Sequence, residues 1–145
     1  MNDRVLSALS ILQSVRHGVL ATSSQELGGI PFGSLAMFSL LRVDGKARPV
    51  IFISDIAEHT KNLKSSSKCS LTVFEPSDNP AAHGRVTWVG SVVQDDRFIE
   101  EYLADHGGSK GLPGFHSYYI DCLRIRYIGG FGKIFWIEPE EWDTI

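Results

Sequence analysis

The chain has few of the features that define a specialised class of protein. Its 145 residues include only two cysteines, Cys69 and Cys122, far apart and outside any Cys-x-x-Cys motif. This usage is typical of a reduced cytosolic protein, and a bridge between the two stays open at this point. No apolar run is long enough to span a bilayer, and the first residues do not begin like a signal peptide. We therefore expect a cytoplasmic protein with no membrane partner.

Basic charge and metal-ligand spacing are also missing. The formal net charge is −3, whereas nucleic-acid binding needs a basic face, so we expect no nucleic-acid partner. There is no nucleophile elbow, Walker loop or dinucleotide-binding glycine motif. The histidines show no spacing typical of a metal site, so we predict none. They are His17, His59, His83, His106 and His116.

What is present describes an ordinary single domain over residues 1–145. Hydrophobic residues make up 43% and charged residues 21% of the chain, enough for a core without metal or disulfide support. Apolar residues recur at helical spacing from Asp3 to about Arg16. A second helix is predicted after Asp95 or Asp96. Its apolar stripe lies within residues 98–103, and it ends at Gly107-Gly108.

Between these helices the pattern is that of β-strands. The second strand opens at Pro31, and its Leu35, Met37, Leu41 and Val43 share one face. Six or seven antiparallel strands of this length would leave exposed edges unless they closed, which favours a closed or partly closed barrel. The predicted strands are 18–23, 31–43, 47–53, 69–74, about 85–94, 118–128 and 133–137, with loops at 75–83 and 109–114.

The most informative stretch is 53–63, where a buried strand ends and a short helix begins. Asp55 and Glu58 have the spacing of a capping box. Unpaired N–H groups at such a helix start favour an anion. The side chains beside them suit a phosphate monoester, although a capped surface helix explains the same pattern. They are Ser54, His59, Thr60, Lys61 and Asn62.

Several stretches, taken together and in order, resemble the FMN-binding split-barrel superfamily. That superfamily includes pyridoxamine phosphate oxidase and the haem-utilisation, HugZ-like proteins. The resemblance covers roughly residues 16 to 138. It is carried by 18–22, 31–34, Ser54 with 59–63, Ser70-Leu71, 85–90 and 129–132.

The resemblance implies a mainly β fold, a six-stranded antiparallel Greek-key split barrel with flanking helices. It also implies a homodimer with FMN at the subunit interface and oxidoreductase activity on a small-molecule substrate, the flavin supplying the reactivity. Ser54 and the segment His59, Thr60, Lys61 and Asn62 would bind the FMN phosphate. Gly33 and Ser34 would face the ribityl chain or the isoalloxazine, and Arg85 would lie against the flavin.

The chain also departs from the oxidase pattern. His59 and Thr60 stand nearest the two basic residues of the oxidase phosphate turn, and Ile128 replaces a tryptophan. The substrate-binding tail of the oxidases does not follow the last strand, which speaks against pyridoxamine phosphate as substrate. Three alternatives therefore stay open: a deazaflavin in place of FMN, a non-enzymatic cofactor-binding dimer, and a haem-binding or haem-degrading protein with His59, His83 or His116 as axial ligand.

Overall fold

The structure is a computed structural model that describes residues 2–108, 112–130 and 132–145. Residues 109–111 of the predicted loop and Phe131 of the predicted last turn lie outside these ranges. The described helices are α1 (Asp3–Ser14), α2 (Glu58–Ser65), α3 (Ile99–His106) and α4 (Pro139–Trp142). The strands are β1 (His17–Ser23), β2 (Pro31–Val43), β3 (Lys46–Ser54), β4 (Lys68–Phe74), β5 (Arg85–Gln94), β6 (Phe115–Ile120), β7 (Arg124–Ile128) and β8 (Ile134–Ile137).

Six of the strands close into an antiparallel barrel. The order around the ring is β1, β2, β3, β6, β5 and β4, and β4 pairs again with β1. β3 pairs with β6 and β4 pairs with β1, so the connection from β3 through α2 to β4 crosses the barrel, which gives the Greek-key topology. The predicted mainly β barrel with flanking helices is confirmed. None of the described helices is both long and apolar enough to cross a bilayer.

The barrel is split along one edge of β5. The first half of β5 pairs with β7 and its last residues pair with β6. The single strand predicted over 118–128 is therefore wrong, because 121–123 interrupts it. Gly90 on β5 is the reason: the carbonyl of Asp121 lies where a Cβ on Gly90 would be, 1.7 Å away. The Trp88 indole donates a hydrogen bond to the same carbonyl at 3.3 Å.

The core fills the barrel and the space beneath the helices. Trp88 and Trp142 are fully buried and meet edge to face, with ring centroids 5.2 Å apart. Helix α1 buries the apolar stripe that the sequence predicts. Asp95 caps a 3-10 turn that leads into α3, and Gly107 ends α3 with a φ of 66°, as expected. These contacts fix the barrel that carries the site.

The single apolar face predicted for β2 is wrong. Leu35 and Met37 point out of the barrel and are exposed, whereas Ala36 and Phe38 fill the core. Only Val43 of the predicted set is fully buried, beside β3 in a second small cluster. Because β2 is apolar on both sides, alternation alone could not say which side faces inward.

The two cysteines are free thiols. Cys69 on β4 pairs with Gly90 of β5, and Cys122 lies beyond the opposite edge of β5. Because a whole strand separates them, the disulfide that the sequence left open does not form. Burial raises the pKa of each thiol to about 12, so neither is a reactive thiolate at neutral pH.

Candidate functional site

Six strands present a continuous sheet surface on the outside of the barrel, which we call the outer face. It runs from β2 through β1, β4, β5 and β7 to β8. Alternation in each strand directs one set of side chains into the core and the other set outward. One lateral row of paired residues crosses the whole face: Leu35, Val19, Thr72, Thr87, Arg126 and Trp136.

One half of the outer face is apolar and open. Leu35 is 68% exposed, Met37 45%, Phe74 44% and Val19 43%. These side chains come from three neighbouring strands, and Val19 stands directly opposite Leu35. A contiguous apolar patch on a soluble protein marks a binding surface.

The same face also carries ionisable groups, one of them beside the apolar half. Exposed His17 stands opposite Met37, and half-buried Arg85 stands between Phe74 and Ile128. Arg126 lies one step further along, opposite Thr87. The face therefore combines an apolar surface with an imidazole and guanidinium groups.

The predicted phosphate turn lies elsewhere, at an open end of the barrel where α2 packs on β1. Ser34 Oγ is 3.1 Å from His59 Nδ1, so β2 and α2 meet there. Ser34 is on the inward side of β2, whereas Gly33 points to the outer face. Burial lowers the pKa of His59, so its imidazole is neutral at pH 7.

The capping box predicted for α2 is wrong. The helix begins at Glu58 after an Ala57 cap that makes no side-chain hydrogen bond. Asp55 instead lies 3.4 Å from His116 and 3.6 Å from Lys64.

The backbone donors of this turn are largely used. Asp55 N donates to the Gly114 carbonyl at 2.7 Å, Ile56 N to Ser54 Oγ at 3.3 Å, and Ala57 N to the Ser54 carbonyl at 3.2 Å. Few N–H groups are left for an anion, and Glu58 adds a negative charge at the helix start. The turn is therefore a poorer anion pocket than its sequence indicates.

The remaining predicted residues of the turn differ in burial and in hydrogen bonding. Asn62 is fully buried and holds the fold together, donating to Thr22 Oγ1 and accepting from Gln25 N, each at 3.0 Å. Thr60 is also fully buried, but its hydroxyl has no hydrogen-bond partner among the described residues. Lys61 is exposed to solvent.

The structure thus brings together only part of the predicted set. Ser34, Ser54, His59, Thr60, Lys61 and Asn62 belong to the α2 end of the barrel, whereas Gly33 and Arg85 belong to the outer face.

The histidines lie in different parts of the molecule. His116 is engaged by two carboxylates, its Nδ1 lying 2.9 Å from Asp96 and its Nε2 3.4 Å from Asp55. His83 is exposed in the loop before β5. His17 was missed as a site residue, although its alternation with Val19 in the first strand could have placed both on one exposed face.

A closed antiparallel ring that splits along β5 defines a split-barrel protein, as the resemblance implied. The sequence matches the family described as "CREG, beta-barrel" over residues 1–144. The chain belongs to the CREG β-barrel family, within the split-barrel, FMN-binding superfamily.

Three known proteins are similar to this chain. The chain is 31% identical over 126 residues to the non-canonical heme oxygenase HOZ, chloroplastic, of Arabidopsis thaliana, covering 81% of this chain and 38% of that protein. A heme binding protein from Mycobacterium smegmatis is 26% identical with a TM-score of 0.84, covering 99% of this chain and 61% of that one. The chain therefore spans less than two thirds of either relative.

An F420 reductase shares the fold at 19% identity and a TM-score of 0.60, over 81% of this chain and 94% of that one. A heme binding protein and an F420 reductase thus both share the fold.

Proposed function

We propose that this chain is a haem-binding split barrel that holds the macrocycle on its outer face, between two copies of the chain. The observation that carries the proposal is the exposed apolar half of that face, which ends beside an exposed histidine and near two arginines that have no carboxylate partner among the described residues. The kinship with HOZ and with the mycobacterial heme binding protein supports it.

The groups of the outer face fit the chemistry of haem. A flat porphyrin needs an apolar plane, and Leu35, Val19 and Met37 supply one that water otherwise covers. A haem iron takes an imidazole ligand, and His17 lies at the edge of this apolar surface, opposite Met37. Haem, when bound, would supply any oxygen or redox chemistry, while the chain positions it and excludes water.

Pairing two outer faces would complete the site. A stable interface buries about 1,200–2,000 Å² in total and has an apolar centre with a polar rim. The outer face has both kinds of group, with its apolar side chains at one end, in β1 and β2, and its arginines towards β7. The homodimer with a cofactor at the interface, implied by the resemblance, is part of this proposal.

Titration of the purified protein with haem tests the proposal by its Soret band. We expect saturable binding that weakens at least tenfold in His17→Ala. His116→Ala is the matched control, because both nitrogens of that half-exposed ring already face carboxylates, and it should bind as the wild type does. A Soret shift that never saturates, or that is identical in both variants, would overturn the assignment of His17.

FMN is the second candidate, and one specific observation favours it. The fully buried Thr60 hydroxyl has no hydrogen-bond partner among the described residues, a costly arrangement. A phosphate oxygen would relieve it once α2 shifts enough to open the hydroxyl to a ligand. Ser54, His59, Thr60 and Lys61 would then hold the phosphate, with Gly33, Ser34 and Arg85 towards the flavin, and the protein would be an FMN-dependent oxidoreductase on a small-molecule substrate. A deazaflavin is a variant of the same proposal, and the likeness to F420 reductase supports the fold alone.

Quenching of FMN fluorescence by the cofactor-free protein tests this second candidate. Thr60→Val keeps the shape of the side chain and removes the hydroxyl, so we expect roughly tenfold weaker binding. Lys64→Ala, on the same helix but paired with Asp55, should leave binding unchanged. Absence of quenching in the wild type would remove FMN and leave haem.

A further inference from the structure

We infer that Arg85 and Arg126 form a clamp for two carboxylates, so that the outer face selects porphyrins with free acid side chains. This inference rests on the proposed haem function and adds a ligand class to it. It begins from an imbalance of charge on the β5–β7 part of the outer face.

Three arginines project from this part of the face, and only one has a counter-ion. Arg124 donates a hydrogen bond from Nε to Glu138 at 2.9 Å, and its Nη2 lies 2.8 Å from the same carboxylate oxygen. Within residues 2–108, 112–130 and 132–145, neither Arg85 nor Arg126 has a carboxylate within ion-pair distance. Both are half-buried already, and covering the face would bury them further. A buried cation without an anion is strongly unfavourable, so the covered state calls for negative charge.

The Arg126 side chain is oriented by an aromatic ring in a way that suits an anionic ligand. Its guanidinium lies over the Trp136 ring at 4.9 Å from the centroid, and Arg124 lies over the same ring at 4.1 Å. Stacking on an indole fixes the plane of the guanidinium while leaving its edge free to donate. The neighbouring position across the ladder is Thr87, whose hydroxyl lies 3.1 Å from that of Thr72. A planar, oriented fork of this kind matches a carboxylate.

The spacing of the two arginines fits a pair of acids rather than one. Thr87 is opposite Arg126 and Arg85 is opposite Ile128, so Arg85 and Arg126 are diagonal neighbours on adjacent strands. Diagonal neighbours in an antiparallel pair lie roughly 7–8 Å apart. Two such guanidiniums would bind the two propionates that project from one edge of haem.

The clamp also lies at a suitable distance from His17. Extending the register of β1 and β4 by two residues places Phe74 beside His17, and Phe74 is opposite Arg85. Two strand spacings, about 10 Å in all, therefore separate His17 from Arg85. That distance resembles the reach from the centre of a porphyrin to its acid edge, so one molecule can engage both groups.

Parallel titrations with haem and with haem dimethyl ester test the inference, since the ester keeps the iron and the macrocycle and removes both negative charges. We expect the ester to bind the wild-type protein roughly ten- to hundredfold more weakly than haem. Arg126→Gln and Arg85→Gln should weaken haem by a similar factor and leave the ester unchanged. Arg126→Lys should recover only part of the loss, because a lysine keeps the charge without the planar fork.

Arg124→Gln is the matched control. It removes a guanidinium from the same tryptophan, but one whose charge Glu138 already offsets, so haem should bind as it does to the wild type. Thermal unfolding of every variant would check that the fold is intact. Equal affinity for haem and ester, unaffected by Arg126→Gln, would overturn the clamp and leave haem binding standing. Failure of both porphyrins to bind would overturn the proposed function and the clamp with it.

Discussion

At the scale of single residues, His116 shows how the structure assigns a role that sequence could not. The sequence offered it as an axial ligand, yet its ring joins the turn before α2 to the 3-10 turn before α3. The hydrogen bond to Asp96 raises its pKa, and the charges of Asp96 and Asp55 add to the effect while nearby Lys64 opposes it. The charged imidazole therefore helps to hold these two turns together.

Removing this ring should change how stability depends on pH. Because the pKa of His116 is raised on folding, its contribution is complete below its unfolded value, about 6.5, and is lost as the pH rises through the folded value. The wild type should therefore exceed His116→Gln in unfolding free energy most at pH 5.5–6 and least at pH 8.5–9, measured by urea denaturation. A difference that stays constant, or grows with pH, would contradict this role; His83→Gln, from an exposed loop, is the control.

At the scale of elements, the break between β6 and β7 depends on one glycine. Gly90→Ala would place a Cβ 1.7 Å from the Asp121 carbonyl, which is backbone and cannot move aside cheaply. We expect a loss of at least about 3 kcal/mol of unfolding free energy, or failure to fold. Gly33→Ala, also in a strand, meets only the Val19 side chain at 3.4 Å and should be tolerated. Comparable midpoints in denaturant for the two variants would refute this account of the split.

The elements also show what could be predicted from sequence. Strand β5 was predicted to within a residue, because 85–94 alternates and has clear ends. The break at 121–123 could not be predicted from sequence, since it depends on a backbone contact with β5, about thirty residues earlier in the chain. The inward face of β2 was equally hidden, because both of its faces are apolar. For α2 the Asp55–Glu58 spacing was misleading, because Lys64 in the last turn of the helix and His116 on β6 hold the Asp55 carboxylate away from the helix start.

The candidate site, like the strands, could be predicted from sequence only in part. Ser34 and His59 do meet, whereas Gly33 and Arg85, which the resemblance puts beside the flavin of the same cofactor, lie on the outer face. Strand alternation, read for both faces of the sheet at once, separates them. The roles proposed for His17 and Arg126 could not be predicted from sequence, because they depend on which residues share the outside of six strands, and that requires the register.

At the scale of the whole molecule, the outer face should join two copies of the chain. Leu35→Glu puts a charge at the most open apolar position of that face, where burial would be costly. We expect the variant to sediment at half the mass of the wild-type dimer. Ile56→Glu is the control, because Ile56 is 83% exposed but lies in the turn before α2. A monomeric wild type, or a Leu35→Glu protein that stays dimeric, would show that the face is not the interface.

The central claim is that haem binds on the outer face, and locating its iron tests that claim most directly. Crystals of the haem-loaded protein would give an anomalous difference peak at the iron absorption edge. We predict the peak between two paired outer faces, within coordination distance of a His17 ring nitrogen, with the acid edge of the porphyrin towards Arg85 and Arg126. A peak beside Ser34 and His59 at the α2 end of the barrel, or one held by another histidine away from the outer face, would contradict the account.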